Sequence, residues 1–340
     1  MTSPLKREQT LSPYGLHRVI GQPGVLPQAA ERLDATLSCQ TTELEIAVER
    51  LHIDASSFLQ LRNAHGDDVS ALREALLDLV LRHGKLHNPV TNSGGMLIGV
   101  VRRAGVAYPA APAPGTRIAT LVSLTLTPLH LDYLGDLDLR TSAVAARGTA
   151  FLFETGIWVE MPSDIPERVA LAAFDVAGAP ARVRARTRPG SRVLIIGAGH
   201  SGVLSAVAAA EAGAVEVLVA DIDQARLARL GQLDLPAVRP LVGNARDAVA
   251  FAKLVGPPVD LTVSCVNVPG IEMACILSTR RDGHIVFFSM TTDFTRAALG
   301  AEGVGSGATL EIGNGFMPGH AACVVDLLRR HPKLSELLCG

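Results

Sequence analysis

The sequence predicts an α/β chain of two domains, a β-rich N-terminal half followed by a doubly wound parallel sheet. Three observations carry this. The length, 340 residues, suits two domains at roughly 150 residues each. After residue 160, apolar strand-like runs alternate with helical segments, the pattern of a parallel sheet covered on both faces. Before that point, short strand-like runs are separated by Gly, Pro and Asp turns, as in a small barrel or sandwich. The expected division is 1–160 and 161–318, with Pro162 and Pro166 punctuating it and the closing segment 319–340 packing near the first domain.

In chain order, strands are expected at 44–53, 94–101, 116–124 and 156–161. A helix at 69–84 interrupts them, with Leu72, Leu76, Leu79 and their neighbours near helical spacing and Gly84 as its C-cap. Asp132, Asp136 and Asp138 read as an acidic, solvated loop. The second half opens on one helix over 167–187. Strands follow at 191–197, 215–221, 237–242, 259–265, 284–289 and 308–313, with helices between most of them, including 201–214. The segment from His320 to Leu338 reads as amphipathic helix.

Composition narrows the function. Hydrophobic residues make up 48% and charged residues 19%, enough apolar material for a large core and too little charge for a disordered chain. The formal net charge is −2, aromatics are 4%, and no basic stripe occurs. A nucleic-acid partner is therefore not expected. No window reaches about 18 uninterrupted apolar residues, so no spanning helix is expected. The N-terminus has no apolar core or cleavage pattern, so no export signal is expected either. The five cysteines are odd in number and scattered, without a CxxC. They argue for a reducing compartment, with the cytoplasm as default, and against a cysteine zinc site.

The most informative motif is Gly197-Ala198-Gly199-His200-Ser201-Gly202, a GxGxxG between an apolar strand and an Ala-rich helix. Gly197 makes the tight turn, Gly199 admits a pyrophosphate to the backbone, and Gly202 lets helix and sheet pack closely. The pyrophosphate then rests on the helix N-terminus, with His200 and Ser201 beside it. Asp221 ends the second strand, where a carboxylate accepts hydrogen bonds from both ribose hydroxyls and repels a 2′-phosphate. No basic residue follows before Arg226, so NAD is favoured over NADP. Ligands of such Rossmann sheets lie beyond the carboxyl ends of the strands. That adds Ile222, Cys265-Val266-Asn267 and Ser289-Met290-Thr291 as cofactor contacts.

The order of parts resembles the medium-chain dehydrogenase/reductase superfamily, a GroES-like catalytic domain followed by a Rossmann domain. LHIDASSF (51–58) stands where that superfamily carries its first metal-site loop. GGMLIGVV (94–101) resembles its G-H-E-x-x-G-x-V segment, PGTRIATL (114–121) its P-G-D-R-V turn, and FDVAGAPA (174–181) the helix entering the Rossmann half. Asp54 stands where zinc members carry Cys, Gly95-Met96 where they carry His-Glu, and the four-cysteine lobe is missing. The expectation is a metal-free site, since zinc needs three or four such ligands. The segments 12–28, 82–99, 119–129 and 193–202 are more specifically similar to the L-erythro-3,5-diaminohexanoate dehydrogenase family. That resemblance spans essentially the whole chain and implies NAD-dependent oxidative deamination of a small diamino acid in lysine fermentation. It also implies a homodimer, through the superfamily's habit of pairing at the sheet edge.

Such chemistry needs an ammonium anchor, a base and a cation for the substrate carboxylate. Asp54 is the first candidate, as base or anchor, against a turn Asp capping Ser56-Ser57. His87 is the second, as base or proton relay, against a structural loop histidine. Lys85 would pair with the carboxylate or act as a base if burial depresses its pKa. Asn92 and Ser93 would orient substrate or water, although Asn92 equally fits a turn. Tyr14, His17 and Arg18 form a polar cluster in which Arg18 either binds the carboxylate or lies on the surface. The alternatives are a zinc-free reductase acting on a quinone or enone and a protein that binds NAD without turnover.

Overall fold

In the computed structural model the described residues are 11–36, 38–313 and 315–339. The ten N-terminal residues, from which no export signal is expected, lie outside them. Two units are separated between Met161 and Pro162.

The first unit is built on Leu44, Ile46 and Val48, which alternate along strand β1 (Glu43–His52), and on Leu51 beyond a register shift after Val48, all four buried. Helices α1 (Ala55–His65) and α2 (Val69–His83) follow, then β2 (Met96–Ala104), β3 (Arg117–Thr120), β4 (Leu129–Asp138), β5 (Ala143–Phe153) and β6 (Trp158–Glu160). Among the described residues these strands form an antiparallel six-stranded sheet, ordered β4-β5-β1-β2-β3-β6. Leu72, Leu76 and Val80 of α2 join Leu44, Ile46 and Leu51 in its core. Helix α2 ends as expected at Gly84, whose φ is 63°. A Cβ there would lie 1.9 Å from the Leu33 carbonyl oxygen.

Three expectations for this unit need correction. The strand expected over 116–124 stops at Thr120, and the Ser123 hydroxyl caps a short 3-10 turn at Leu124–Leu126 by accepting from the Thr125 amide. Asp132, Asp136 and Asp138 are not a loop. They occupy exposed positions of β4, whose Leu129, Leu131, Leu134 and Leu137 are buried. Register shifts between Leu131 and Tyr133 and between Leu134 and Leu137 break the two-residue period that would mark a strand. Helix α1, not expected, is started by the Asp54 side chain, which accepts from the Ser57 amide.

The second unit contains α3 (Glu167–Asp175), α4 (Gly178–Arg186), β7 (Arg192–Ile196), α5 (His200–Glu211), β8 (Glu216–Asp221), α6 (Gln224–Leu230), β9 (Val238–Val242), α7 (Ala248–Val255), β10 (Val259–Ser264), α8 (Glu272–Ser278), β11 (Thr279–Phe287), α9 (Phe294–Gly303), β12 (Thr309–Ile312), α10 (His320–Arg330) and α11 (Lys333–Cys339). Its sheet is ordered β12-β11-β10-β7-β8-β9, every pairing parallel. Counting from β7, this is the doubly wound order with a crossover between the first and fourth strands. Such a crossover leaves a crevice at the strand carboxyl ends.

The helix expected over 167–187 is two helices, because the Val176 and Ala177 amides bond to the carbonyls three residues back, Ala173 and Phe174. The closing amphipathic segment also divides. Pro332 has no N–H and disfavours helical backbone in the residue before it, and His331 leaves the helix at φ −124°, ψ 77°. Both pieces pack on α3 and α5 within the second unit, α10 also on α4. No helix among the described residues is long and apolar enough to cross a membrane.

Candidate active site

The glycine loop follows β7 at the carboxyl edge of the second unit's sheet. Its glycines meet three different environments. Gly197 has φ 111°, and a Cβ on it would lie 2.6 Å from Val266 Cγ1. A Cβ on Gly202 would lie 1.8 Å from the Gly197 carbonyl oxygen, so α5 sits directly on the loop. Gly199 has no atom within 4 Å of its Cβ position. Two glycines thus close the protein's own packing, and the third opens a bare backbone approach at the N-terminus of α5, the site suited to a pyrophosphate.

Asp221 ends β8 and is 8% exposed. Its Oδ2 accepts from the Ala198 amide at 2.8 Å and its Oδ1 from the Asp223 amide at 3.0 Å. A carboxylate retains lone pairs beyond these two bonds, so ribose hydroxyls remain within its capacity. Ala198, Gly199, His200 and Val203 line a cavity of about 270 Å³ with Arg226, Arg229 and Leu337. Both arginines are engaged: Arg226 faces Asp223 at 3.4 Å, and Arg229 donates to the Leu337 carbonyl at 2.7 Å.

The loops after β10 and β11, expected to contact the cofactor, meet each other. The Cys265 amide donates to the Ile196 carbonyl of β7 at 2.8 Å, and Val266 backs Gly197. Burial pushes the Cys265 thiol up to about 12, against the neighbouring Ser201 hydroxyl, so it stays protonated. The Ser289 hydroxyl donates to Asn267 Oδ1 at 3.1 Å and lies 2.8 Å from the Thr291 hydroxyl. Ile222 and Met290 are 72% and 90% exposed.

In the first unit, Asp54 follows β1. Its Oδ1 accepts from the Ser57 amide at 2.9 Å and the Ser56 hydroxyl at 2.6 Å. Its Oδ2 is shielded from solvent and has no hydrogen-bond partner. Capping and an unused acceptor thus coexist in one carboxylate. The Ser57 hydroxyl lies 2.6 Å from that of Thr91, which ties this strand end to the loop over 85–93. Gly94 and Gly95 close the same junction. A Cβ on Gly94 would lie 2.2 Å from the Leu86 carbonyl oxygen, and one on Gly95 2.0 Å from that of His52.

The other three candidates divide. His87 keeps a buried Nδ1 without a partner, and burial, with the charges of Lys85 and His83, pushes its pKa down, so the ring is neutral. Lys85 is held by backbone carbonyls, with its pKa depressed by burial as the base alternative requires. It is 0% exposed and donates to the Pro27 and Gln28 carbonyls at 2.8 and 3.1 Å. Burial without a carboxylate beside it lowers its pKa to about 8. Asn92 is the turn residue of its loop, exposed, at φ 54°, donating its amide to the Asn88 carbonyl at 2.8 Å.

Arg18 is neither a surface residue nor a substrate ligand. It is 0% exposed, forks onto Glu43 at 2.8 and 2.5 Å, and stacks 4.0 Å from the Phe151 ring centroid. His17 lies 2.7 Å from the same carboxylate, while Tyr14 is exposed. Among the described residues, no group of three His, Cys, Asp or Glu side chains is arranged to hold a metal ion. His52 is a residue that sequence reasoning missed. Its Nδ1 is buried and unpartnered, and its position two residues before Asp54 was the available signal.

Comparison with known proteins gives a consistent picture. Residues 17–162 match the family described as L-erythro-3,5-diaminohexanoate dehydrogenase N-terminal domain. The chain is 40% identical over 337 residues to the L-erythro-3,5-diaminohexanoate dehydrogenase of Fusobacterium nucleatum subsp. nucleatum, spanning 95% of this chain and 96% of that protein. It is also 40% identical over 329 residues to the enzyme of that name from Acetoanaerobium sticklandii, spanning 93% and 94%. In structure it is similar to 2R,3R-butanediol dehydrogenase from Bacillus subtilis, with a TM-score of 0.51 at 15% identity over 89% of this chain and 88% of that one. That likeness is one of fold, the fold of the medium-chain dehydrogenases.

Proposed function

Because this chain belongs to the L-erythro-3,5-diaminohexanoate dehydrogenase family, we propose that it is an NAD-dependent amine dehydrogenase. It converts L-erythro-3,5-diaminohexanoate, NAD and water into 5-amino-3-oxohexanoate, ammonia and NADH. Family membership does not favour the quinone or enone reductase or the non-catalytic reading.

One observation carries the amine chemistry: the shielded, unpartnered Oδ2 of Asp54. A buried polar oxygen without a partner is uncommon, and a primary ammonium satisfies a carboxylate through a strong charge-assisted hydrogen bond. The residues of the second unit suit the cofactor. Gly199 offers the pyrophosphate approach, and Asp221 offers acceptors to ribose and a negative charge against a 2′-phosphate. When bound, the nicotinamide supplies the hydride acceptor. Asp54 holds the substrate ammonium, and the neutral His87 is within the set of groups able to handle its proton.

The same reading takes the enzyme as cytoplasmic, a homodimer, and part of lysine degradation. The odd, scattered cysteines support the compartment, and β12, an edge of the parallel sheet, supports pairing between copies.

The test follows NADH absorbance and ammonia release from purified protein with NAD and 3,5-diaminohexanoate, with chelator present. Equal amounts of both products are expected. Turnover of NADPH with a quinone or enone, and none with the diamino acid, would sink the proposal.

A further inference from the structure

His52 closes β1, and the chain stays extended through Asp54, at φ −61°, ψ 150°. Leu51 and Ile53 are 0% and 1% exposed and belong to the first unit's core. Alternation along extended backbone therefore turns His52 and Asp54 to the other face together. Each of the two carries an orphan: His52 Nδ1 and Asp54 Oδ2 are both shielded from solvent and without a hydrogen-bond partner. The Asp54 Oδ1 is already committed to Ser56 and Ser57. Behind them the strand end packs on the bare backbone of Gly95, whose Cβ would lie 2.0 Å from the His52 carbonyl oxygen and 2.9 Å from the Asp54 amide.

Buried polar atoms are usually satisfied. Of the thirteen shielded side-chain atoms without a hydrogen-bond partner among the described residues, these two stand out because they share one face at a strand end, an arrangement that suits a ligand's polar group. A carboxylate oxygen accepts, and the ring nitrogen of a neutral imidazole can accept. The group that matches both is a donor with several N–H bonds. A primary ammonium has three.

We propose that His52 is the proton acceptor for the substrate ammonium that Asp54 holds, an assignment that rests on the amine-dehydrogenase reading. The N–H bond breaks, its electron pair stays on the substrate nitrogen, and the proton binds His52 Nδ1. The freed nitrogen lone pair then forms the C=N bond as hydride leaves the carbon for the nicotinamide. Water adds to that bond, and ammonia departs to leave the ketone. His87 is the less suited histidine. It stands on a separate loop, edge-on to His83 at 6.3 Å between ring centroids.

The test compares His52→Gln, His52→Ala and His87→Gln with the wild-type enzyme in pH profiles of kcat and kcat/KM for 3,5-diaminohexanoate. Thermal unfolding is measured alongside as a check on folding. His52→Gln is expected to lower kcat on the order of 100-fold, to remove the acid-side limb of the profile, and to change KM little, since Asp54 still holds the ammonium. Added imidazole is expected to restore part of the activity of His52→Ala. A kcat within about threefold of wild type overturns the assignment. So does a loss that keeps the limb and is not rescued, or a limb that disappears only in His87→Gln. A wild-type enzyme that forms no NADH from the diamino acid would overturn the proposed function itself, an outcome distinct from all of these.

Discussion

Asp221 braces the loop that it also serves: its Oδ2 accepts from the Ala198 amide at 2.8 Å, inside the glycine fingerprint. The acid ending one strand thus shapes the turn after the neighbouring strand, and under the proposed function it also receives the ribose. Asp221→Ala removes both. The expected result is a 10- to 100-fold rise in Kd for NAD, about 1.4–2.8 kcal/mol, with a smaller change for NADP, since the repulsion is lost as well. Calorimetric titration of each dinucleotide checks this.

The fingerprint glycines should respond oppositely to the same substitution. Gly202→Ala forces a methyl to within 1.8 Å of the Gly197 carbonyl oxygen and is expected to destabilise by about 1–3 kcal/mol or more, with loss of dinucleotide binding. Gly199→Ala meets no atom within 4 Å and keeps ordinary backbone at φ −77°. It should leave the unfolding midpoint unchanged and weaken dinucleotide affinity, because its methyl occupies the phosphate approach. Urea unfolding and binding titrations separate the two outcomes.

Asp54→Asn separates the cap from the charge. Asn is as good an N-cap as Asp, so α1 should start as before and stability should change by less than about 0.5 kcal/mol. The carboxylate proposed to receive the ammonium is gone, and under that proposal kcat/KM for the diamino acid should fall on the order of 100-fold. Steady-state kinetics on a variant with wild-type melting checks it.

Glu43 makes the first unit sensitive to acid. Burial would raise its carboxyl, but the Arg18 and His17 hydrogen bonds and the Gln40 amide outweigh that and hold it at about 2, against an ordinary 4.5. With the folded pKa below the unfolded one, the contribution is complete above about pH 4.5 and is lost as pH falls toward 2, about 3 kcal/mol in all. Glu43→Gln should flatten stability over that window. Arg18→Leu, which strands a buried carboxylate, should cost about 3–5 kcal/mol near neutrality. Urea midpoints against pH read both.

Lys85 has the opposite sign. Its folded pKa, about 8, lies below its ordinary 10.5, so between those values the unfolded chain binds more protons and stability rises with pH. The penalty below pH 8 is about 3 kcal/mol and disappears toward pH 10.5. Lys85→Met should remove that rise. If the difference between the wild-type and variant curves is flat from pH 8 to 10, the account of Lys85 is wrong.

The dinucleotide half was legible because its signals are local. Continuous apolar strands at 191–197 and 215–221, the spacing of Gly197, Gly199 and Gly202, and a terminal Asp221 each follow from backbone requirements within a few residues. The division near residue 160 was legible for a similar reason, a change in hydrophobic period. Strand β4 was hidden because its bulges interrupt alternation and its Asp residues imitate a loop. The two closing helices were read as one because amphipathic spacing continues across Pro332.

The sequence by itself determined the parallel sheet, the glycine cradle and Asp54 as a residue worth watching, since these depend on short-range geometry and residue type. Only the tertiary structure decided the roles of the buried charges. Arg18 met a carboxylate 25 residues away and became structural. Lys85 met carbonyls 57 and 58 residues away and became a pin. His52 met no partner for its buried nitrogen and became the group with a task. Whether a polar side chain in the core is satisfied depends on which distant backbone folds against it, and composition and spacing do not encode that meeting.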